Sequence, residues 1–306
     1  MKVLITGVCG FIGSHLTEKF KNSGDIVIGL DRCASPFVTP QYIIDIAKDD
    51  LEPILKKESP DLVIHCAGLA DVQYSVNNPD DDFVANTHAV HKMLFYMKKC
   101  NLVNCRFVFL SSAAVYGQPE KLPIDENCEL KPLSPYALHK KMAEDICMFF
   151  ADNYQFDIRI LRVFSAYGPG LRKQLFWDMY RTIKKNGCLD LWGTGKESRD
   201  YIFIDDLVHA IYLIAVDTKT NYMVWNVANG EEITIEKVAR TFLEVENDMR
   251  YELKFRNAAR GGEALNWCAD VSRLKGLGYK KSTDMREGIK KYVEWVKSIE
   301  NIGISR

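Results

Sequence analysis

Tyr136 and Lys140 are the residues whose types and spacing most directly suggest chemistry in this sequence. On a helix, residues four apart lie on the same face, so the phenol and the ammonium would be neighbours. A nearby ammonium favours the phenolate and lowers the pKa of a tyrosine, which is about 10 in water. Such a tyrosine can remove the proton of a hydroxyl group while a hydride leaves the same carbon for a nicotinamide ring.

The spacing alone is not specific, because Tyr180 and Lys184 repeat it in a segment typical of an amphipathic helix. Tyr136 differs in its position along the chain. It follows the apolar run Phe107–Leu110, which leads into the sequence SSAAVYG. A serine at the carboxyl end of a parallel strand lies where ligands bind in such sheets.

A second candidate site lies at the start of the chain, where the apolar run Val3–Thr6 precedes Gly7, Gly10 and Gly13 and then an amphipathic helix. Glycines at this point let the backbone approach a pyrophosphate, and the N–H groups that begin the helix face its charge. The spacing is G-x-x-G-x-x-G rather than the commoner G-x-G-x-x-G. A tight strand–helix connection without a ligand therefore stays open on this motif alone.

The next apolar run, Ile26–Leu30, is followed by Asp31, close to the spacing expected for an acid that binds an adenosine ribose. A carboxylate there accepts both ribose hydroxyls and repels a 2′-phosphate, which favours NAD over NADP. The neighbouring Arg32 could instead serve a 2′-phosphate. We therefore predict NAD as the cofactor.

The elements that would position these residues alternate along the first half of the chain. Nearly all-apolar runs suit parallel strands covered on both faces, and alternation with helices predicts an α/β fold with a doubly wound, Rossmann-type parallel sheet. The strand runs are Val3–Thr6, Ile26–Leu30, Leu62–His65, Phe107–Leu110 and Ile158–Leu161, and the helical patterns are 11–22, 48–57, 80–99, 135–153 and 284–300.

After about residue 165 the elements become shorter and turn signals more frequent. We predict a dinucleotide-binding domain over residues 1–165 that carries Ser112, Tyr136 and Lys140. A smaller C-terminal α/β lobe over residues 166–306 would mainly bind the substrate, with some of its segments returning to the first domain.

Composition narrows the possible partners and compartment. The 306-residue chain has a formal net charge of −1, so no global field attracts nucleic acid or an anionic membrane. Its nine cysteines form no C-x-x-C pair and no metal-ligand pattern with the six histidines, which predicts reduced thiols and no metal. The glycine-broken start does not suit a signal peptide, and no run is long enough to span a bilayer. We expect a cytoplasmic protein.

Four motifs together resemble the extended short-chain dehydrogenases/reductases that act on nucleotide sugars, and within them the UDP-galactose 4-epimerases. The motifs are G-x-x-G-x-x-G, SSAAVYG, Tyr136-x-x-x-Lys140 and RDYIFIDD. The similarity extends over nearly the whole chain and includes HCAGLADVQYSV, RVFSAYGPG and RGGEALNWCAD.

The resemblance implies a role for each matching residue. Ser112 would hydrogen-bond the sugar 4-hydroxyl, Tyr136 would be the catalytic acid and base, and Lys140 would hold the nicotinamide ribose and tune the tyrosine. The cofactor-binding residues would be Gly7, Gly10, Phe11, Ile12, Gly13, Asp31, Arg32, Asp45, Ile46, Ala67, Gly68, Asn86, Tyr136 and Lys140. The substrate-binding residues would be Ser112, Ser165, Trp192, Arg199 and Arg260.

Some of these substrate assignments have plain alternatives. Two arginines suit a diphosphate, because guanidinium binds phosphate oxygens bidentately. Each could instead form a surface salt bridge, Arg199 with Asp200 or Arg260 with Glu263. Trp192 could stack on the nucleobase or simply pack.

Departures from the family pattern discriminate among its members. Dehydratases and decarboxylases of the family carry acids directly after the residue that matches Ser112, or two places after it, whereas this chain has Ala113 and Ala114. Reductases that also epimerise carry a cysteine where Ala114 stands. Ser165 replaces an asparagine that usually contacts the diphosphate, which weakens the assignment of UDP.

The resemblance therefore implies a redox-neutral NAD-dependent 4-epimerase of a UDP-hexose such as UDP-glucose or UDP-galactose, acting through a transient 4-keto sugar. The alternative enzyme is an NAD(P)H-dependent reductase of a 4-keto nucleotide sugar. A non-catalytic dinucleotide sensor or RNA-associated scaffold is disfavoured by the intact Ser112, Tyr136 and Lys140 and by the near-neutral charge. The resemblance also implies a homodimer, in which the apolar faces of the helices predicted at 80–99 and 135–153 would pair with a second subunit. From sequence alone these faces could equally pack on their own sheet.

Overall fold

A seven-stranded, wholly parallel sheet dominates the computed structural model, which describes residues 1–246, 251–256 and 264–301. Its first part consists of β1 (Lys2–Thr6), α1 (Phe11–Asn22), β2 (Ile26–Asp31), β3 (Gln41–Ile43), α2 (Glu52–Glu58), β4 (Leu62–His65), α3 (Val72–Asn77), α4 (Pro79–Phe83), a π-helical turn (Val84–His88), α5 (Ala89–Lys99), β5 (Arg106–Ser112), a 3₁₀ turn (Ala113–Tyr116), α6 (Pro135–Tyr154) and β6 (Ile158–Val163).

The rest of the chain forms shorter elements. These are β7 (Ser165–Tyr167), α7 (Gln174–Asn186), β8 (Cys188–Leu191), β9 (Ser198–Arg199), β10 (Tyr201–Phe203), α8 (Ile204–Val216), β11 (Val224–Val227), β12 (Ile233–Thr234), α9 (Ile235–Glu246), β13 (Glu252–Phe255), α10 (Ser272–Gly276) and α11 (Met285–Asn301). Six of the short strands pair two by two, as β10 with β7, β12 with β9 and β13 with β8.

The strand order of the large sheet is β11-β6-β5-β4-β1-β2-β3. The order reverses at β1, and ligands bind at such a switch point, outside the carboxyl ends of the strands. The registers Thr6–Leu30 and Thr6–His65 align the carboxyl ends of three neighbouring strands. The prediction of a doubly wound, Rossmann-type α/β fold is confirmed.

Alternate side chains of the central strands enter hydrophobic cores on opposite faces of the sheet. On β1, Val3 and Ile5 pack into one core and Leu4 into the other. On β4, Ile64 packs into the first core and Val63 into the second. Both faces are therefore covered by helices, which explains why these strands are nearly all apolar in sequence.

The sequence located the main strands and helices within a few residues, and the differences have local causes. The helix predicted at 48–57 begins at Glu52, behind a turn in which Asp45 accepts from the N–H of Ala47. The helix predicted at 80–99 is interrupted by the π-helical turn Val84–His88. Such turns occur frequently at functional sites.

Beyond residue 166, one segment returns to the large sheet. β11 pairs in parallel with β6, and its Trp225 is fully buried. The division of the chain into domains at residues 165 and 166 stays a prediction. Among the described residues, no helix is both long enough and apolar enough to cross a lipid bilayer.

Candidate active site

The three glycines of the first motif form a tight turn between β1 and α1. Gly7 has a φ of +72°, and its N–H donates to the carbonyl of Leu30 at 2.8 Å. A Cβ on Gly13 would lie 2.1 Å from the carbonyl oxygen of Gly7, so α1 packs against the turn only because residue 13 is glycine. Gly10 caps α1 without a side-chain hydrogen bond. The first N–H groups of α1 therefore keep their capacity for an anion.

Asp31 lies at the end of β2, directly beside this turn. One carboxylate oxygen accepts from the N–H of Cys9 at 2.8 Å and the other from the N–H of Arg32 at 2.7 Å. These bonds fix the carboxylate at the rim of the sheet, where an adenosine ribose would be held. The side chain of Arg32 is exposed beside it.

Two cysteines flank Asp31, an arrangement that the sequence spacing does not reveal. Ligand atoms of Cys9, Asp31 and Cys33 lie within 4.8 Å of one another. Burial and the neighbouring Asp31 raise the pKa of the Cys9 thiol to about 12. The prediction that the chain holds no metal stays a prediction.

The remaining residues expected at the adenosine and ribose lie along the same edge. Asp45 and Ile46 follow β3, with Ile46 buried and Asp45 half-buried. Ala67 and Gly68 follow β4, and the N–H of Ala67 donates to Thr6 Oγ1 at 3.0 Å. Phe11, together with Gly10 and Arg172, lines a cavity of about 430 Å³ at this edge. Ile12, the next residue of α1, is half-buried.

Asn86 lies in the π-helical turn and is 1% exposed. Its Nδ2 donates to the carbonyl of Leu69 and to Asp82, both at 2.9 Å. Its Oδ1 has no hydrogen-bond partner among the described residues and points at Gly68, whose added Cβ would lie 2.6 Å away. A buried acceptor without a donor is costly, so this oxygen is suited to a donor supplied by a ligand.

The structure brings Ser112, Tyr136 and Lys140 together. Ser112 ends β5, and Tyr136 occupies the first turn of α6, where Ser134 caps the helix and Pro135 begins it. The hydroxyl of Ser112 lies near enough to the Tyr136 phenol to influence its pKa. Tyr136 is also anchored through its backbone N–H, which donates to Ser75 Oγ at 3.1 Å. The phenol is therefore fixed at the carboxyl edge of the sheet.

Burial reverses the shift expected for the Tyr136 pKa. It raises this pKa to about 12, and the neighbouring Ser112 side chain opposes the rise. Lys140 Nζ donates to the carbonyl of Leu110 at 2.9 Å and lies 6.0 Å from the centroid of the Tyr136 ring. Desolvation lowers the pKa of Lys140 to about 8. The structure thus corrects the sequence argument, which weighed the ammonium but not the burial of both groups.

The residues expected at the substrate are spread more widely. Ser165 begins β7, and its N–H donates to the carbonyl of Asp200 at 3.0 Å. Arg199 ends β9, with its guanidinium 5.1 Å from the Trp267 ring. Trp192 is 47% exposed after β8, where it contacts the guanidinium of Arg256. Arg260 lies outside the described residues, so its predicted role is untested.

The sequence reasoning missed a buried hydrogen-bonded pair behind Tyr136 and Lys140. Asp82 is fully buried and lies 2.7 Å from Nδ1 of His139, the residue before Lys140. The run Asp80–Asp82 suggested only a charged first helical turn. The sequence signal for this role was the spacing of Asp82 to Asn86, four residues later, because residues four apart share a helix face.

These residues fit a nicotinamide dinucleotide. The glycine turn and the free start of α1 suit its pyrophosphate, Asp31 suits an adenosine ribose, and the unpaired Oδ1 of Asn86 lies near Lys140 at the opposite end. Fold and site together define a dinucleotide-dependent enzyme with a Ser-Tyr-Lys centre.

Comparisons with known proteins identify the family. Residues 3–228 match the model of the NAD dependent epimerase/dehydratase family, so the chain belongs to this family. It is 31% identical to a "Putative UDP-glucose 4-epimerase" of Methanocaldococcus jannaschii, over 97% of this chain and 98% of that protein. The predicted family and the dependence on NAD are confirmed.

Solved structures are similar to this chain over nearly its whole length. MoeE5 in complex with UDP-glucose and NAD has a TM-score of 0.88 at 28% identity, covering 97% of this chain and 99% of that one. The UDP-glucuronic acid 4-epimerase from Bacillus cereus, in complex with UDP-glucuronic acid and NAD, has a TM-score of 0.88 at 25% identity, covering 98% and 100%.

Replacing Gly13 by alanine should weaken NAD binding. The new Cβ would lie 2.1 Å from the Gly7 carbonyl oxygen, so the turn must move. Overpacking of this kind costs about 1–3 kcal/mol, and if that cost falls on the NAD-binding conformation we expect a Kd for NAD about 5- to 150-fold higher. The measurement is NAD per chain in the purified protein, with calorimetry of NAD binding. Gly276→Ala is the control, because its Cβ would meet nothing within 4 Å. Full NAD content in Gly13→Ala would contradict the assignment.

Proposed function

We propose that the protein is a nucleotide-sugar 4-epimerase that uses NAD and acts on a UDP-hexose such as UDP-glucose or UDP-galactose. The observation that carries the proposal is the meeting of Ser112, at the end of β5, with Tyr136 and Lys140, one helical turn apart on α6, at the sheet edge that also holds the glycine turn. Relatives named as UDP-sugar 4-epimerases support it over nearly the whole chain.

The reaction requires a proton and a hydride to leave the same carbon and later return. NAD, when bound, supplies the hydride acceptor and donor. Tyr136 takes the proton of the sugar 4-hydroxyl and gives it back after the 4-keto sugar has turned its opposite face to the cofactor. Ser112 hydrogen-bonds the same oxygen and holds it beside the phenol.

Lys140 supplies positive charge beside this proton transfer. Its ammonium is anchored on the Leu110 carbonyl, at the end of the strand that carries Ser112. From there it is placed to hydrogen-bond the nicotinamide ribose and to favour the phenolate over the phenol. Burial of Tyr136 disfavours the phenolate. We therefore propose that the tyrosine is deprotonated only when cofactor and substrate are bound, with the positive charge of Lys140 stabilising the phenolate.

The residues after Ser112 favour epimerisation over elimination. Ala113 is buried, and Ala114 uses its N–H to donate to Ser112 Oγ at 3.2 Å. Neither side chain carries an acid to protonate a leaving group. Most of the energy of substrate binding would come from the nucleotide part of the substrate, because the hexose must be free to turn. We propose that the nucleotide contacts Ser165, Trp192, Arg199 and Arg260.

The experiment incubates the purified protein with UDP-glucose or UDP-galactose, without added cofactor, and follows both anomeric proton signals by NMR. Interconversion is expected, because hydride is returned and bound NAD is not consumed. If neither sugar reacts, the same assay with UDP-glucuronic acid tests a related substrate. Oxidation of NADPH by a 4-keto nucleotide sugar, with no epimerisation in any assay, would replace this proposal with the reductase alternative.

We further propose that the protein works as a homodimer. Large apolar side chains are exposed on neighbouring helices, and three of them, Leu138, Met142 and Phe149, lie along α6. Phe95 of α5 and Phe83 of α4 are exposed on the helices packed beside it. Exposed apolar side chains on three adjacent helices favour a second copy of the chain as their partner.

Leu138→Asp should convert the dimer to a monomer, because a carboxylate cannot be buried unpaired in an apolar interface. Size-exclusion chromatography with light scattering should give twice the chain mass of 35.0 kDa for the wild type and the single mass for the variant. Ile26→Asp, a charge placed on a 57% exposed side chain at the start of β2, is the control. A monomeric wild type would contradict the proposal.

The predicted compartment and domain division also stay proposals. All nine cysteines lie in the described ranges and are free, which supports a reducing compartment such as the cytoplasm. The short strand pairs after residue 165 support a substrate-binding lobe there, and the pairing of β11 with β6 supports the return of part of it to the first domain.

A further inference from the structure

Asp82 connects the π-helical turn to the helix that carries Tyr136 and Lys140. Its carboxylate lies at the end of α4 and is fully buried. One oxygen is 2.7 Å from Nδ1 of His139, and the other accepts from Nδ2 of Asn86 at 2.9 Å. A second bond, from Thr87 Oγ1 to the carbonyl of His139 at 2.9 Å, joins the same two segments.

The carboxylate also determines which end of the Asn86 amide points toward Gly68. Asp82 and the carbonyl of Leu69 are both acceptors, so they bind the two N–H bonds of Asn86 Nδ2. The carbonyl oxygen of Asn86 is thereby left pointing at Gly68. Lys140 Nζ lies on the same side, 3.6 Å from the Cβ position of Gly68.

We propose that Asp82 is a positioning residue for the epimerase reaction. It fixes Asn86 as a hydrogen-bond acceptor toward the cofactor, and through His139 it holds Tyr136 and Lys140 in place opposite Ser112. This inference rests on the proposed function. Asp82 itself touches neither substrate nor cofactor.

The charge of Asp82 also helps to keep Lys140 protonated. Desolvation lowers the pKa of Lys140, and the negative charge of Asp82 is the largest influence that opposes it. The hydrogen bond between Asp82 and His139 gives little support to a role limited to stability, because a single hydrogen bond contributes only modest net stability. Its attachment to Asn86 on one side and to the neighbour of Lys140 on the other indicates a role in the site.

The experiment compares Asp82→Ala with Asp82→Asn in the purified protein. Asp82→Ala removes the hydrogen bonds of Asp82 to His139 and Asn86. It should therefore misplace Tyr136 and lower kcat by about 100-fold, with little change in KM for the nucleotide sugar. It should also release bound NAD faster, because Asn86 is no longer held as an acceptor. Circular dichroism and thermal melting establish that each variant is folded.

Asp82→Asn should restore most of both properties. Its amide oxygen can accept from Asn86, and its amide N–H can donate to Nδ1 of His139 in the other tautomer. Asp81→Asn is the matched control, since it changes the same charge one residue away. The Asp81 carboxylate is exposed and accepts from the hydroxyl of Tyr74 at 3.0 Å.

A folded Asp82→Ala with wild-type kcat and wild-type NAD release would overturn the proposal. So would equal losses in Asp82→Ala and Asp82→Asn, since these would show that the charge matters and the hydrogen-bond geometry does not. If Asp82→Ala does not fold, His139→Ser removes the imidazole that hydrogen-bonds Asp82 and so breaks the same connection from the α6 side. A lowered kcat in folded His139→Ser then supports the proposal, and an unchanged kcat overturns it.

Failure of the proposed function is distinguishable from failure of this inference. A wild-type protein that turns over no nucleotide sugar contradicts the epimerase assignment. The rate of NAD release still separates Asp82→Ala from Asp82→Asn in that case, because it requires no substrate.

Discussion

Tyr136→Phe is expected to lower epimerase turnover by about 10²–10⁴-fold, the range over which a positioned acid or base contributes to catalysis. The substitution removes one hydroxyl and leaves the ring, which is 8% exposed, in its packing. The backbone anchor to Ser75 is also unaffected. Bound NAD should therefore remain, while the proton of the sugar 4-hydroxyl has no acceptor beside Ser112.

The chain offers a matched control in Tyr180, which also precedes a lysine by four residues. Its hydroxyl donates to Glu300 at 2.6 Å, on a helix pair outside the proposed site. Tyr180→Phe should cost about 1 kcal/mol of stability through the lost hydrogen bond and leave turnover unchanged. The anomeric NMR assay measures turnover, and chromatography of released nucleotide measures NAD per chain. Equal activity of Tyr136→Phe and the wild type would remove Tyr136 from the mechanism.

The features predicted correctly from sequence are those that local rules determine. The apolar runs mark β1, β2, β4, β5 and β6 because parallel strands are covered on both faces. Gly7 and Gly13 mark the first turn because a positive φ and a close backbone contact exclude other residues there. Ser112 and Tyr136 meet because the end of one strand and the start of the next helix lie at the same edge of the sheet.

The features that were missed depend on burial and on distant parts of the chain. The direction of the Tyr136 pKa shift follows from desolvation, which the spacing to Lys140 does not reveal. Asp82 is polar in a run of acids, and only the packing of α4 against α6 shows it to be buried beside His139. The sequence predicted that some segments after residue 165 return to the first domain, but it did not indicate which one, because β11 pairs with β6, about 60 residues earlier in the chain.

A second buried pair should dominate the stability of the chain. Arg162 of β6 is 4% exposed and Glu144 of α6 is fully buried, with Nη2 and Oε2 2.7 Å apart. Burial acts to lower the pKa of Arg162, but hydrogen bonds with Glu144 outweigh it and raise that pKa. Glu144 also accepts from Ser111, the residue before Ser112.

The same arginine extends the network to the edge of the sheet. Its Nη1 donates to the hydroxyl of Tyr116 at 3.0 Å and to the carbonyl of Glu126 at 2.9 Å. The Tyr116 hydroxyl in turn donates to Asn226 of β11 at 2.7 Å. The network therefore joins three strands and the helix that carries Tyr136.

Arg162→Met is expected to lower the free energy of unfolding by about 3–5 kcal/mol, because it leaves the Glu144 charge buried without a cation to balance it. Domains are typically stable by about 5–15 kcal/mol, so the loss is a large share of the total. Urea unfolding at neutral pH measures it. The double variant Arg162→Met with Glu144→Leu should recover part of the loss, since it removes the orphaned charge as well.

Arg240→Met is the control for this prediction, because Arg240 pairs with Glu236 at 2.6 Å on an exposed helix face. Such surface pairs contribute about 0.3–0.5 kcal/mol, so the two arginine variants should differ by roughly tenfold in their effect on stability. Similar losses in both would show that burial does not set the energy of the Arg162 pair. A double variant less stable than Arg162→Met alone would show that packing around the pair, rather than the unpaired charge, determines the cost.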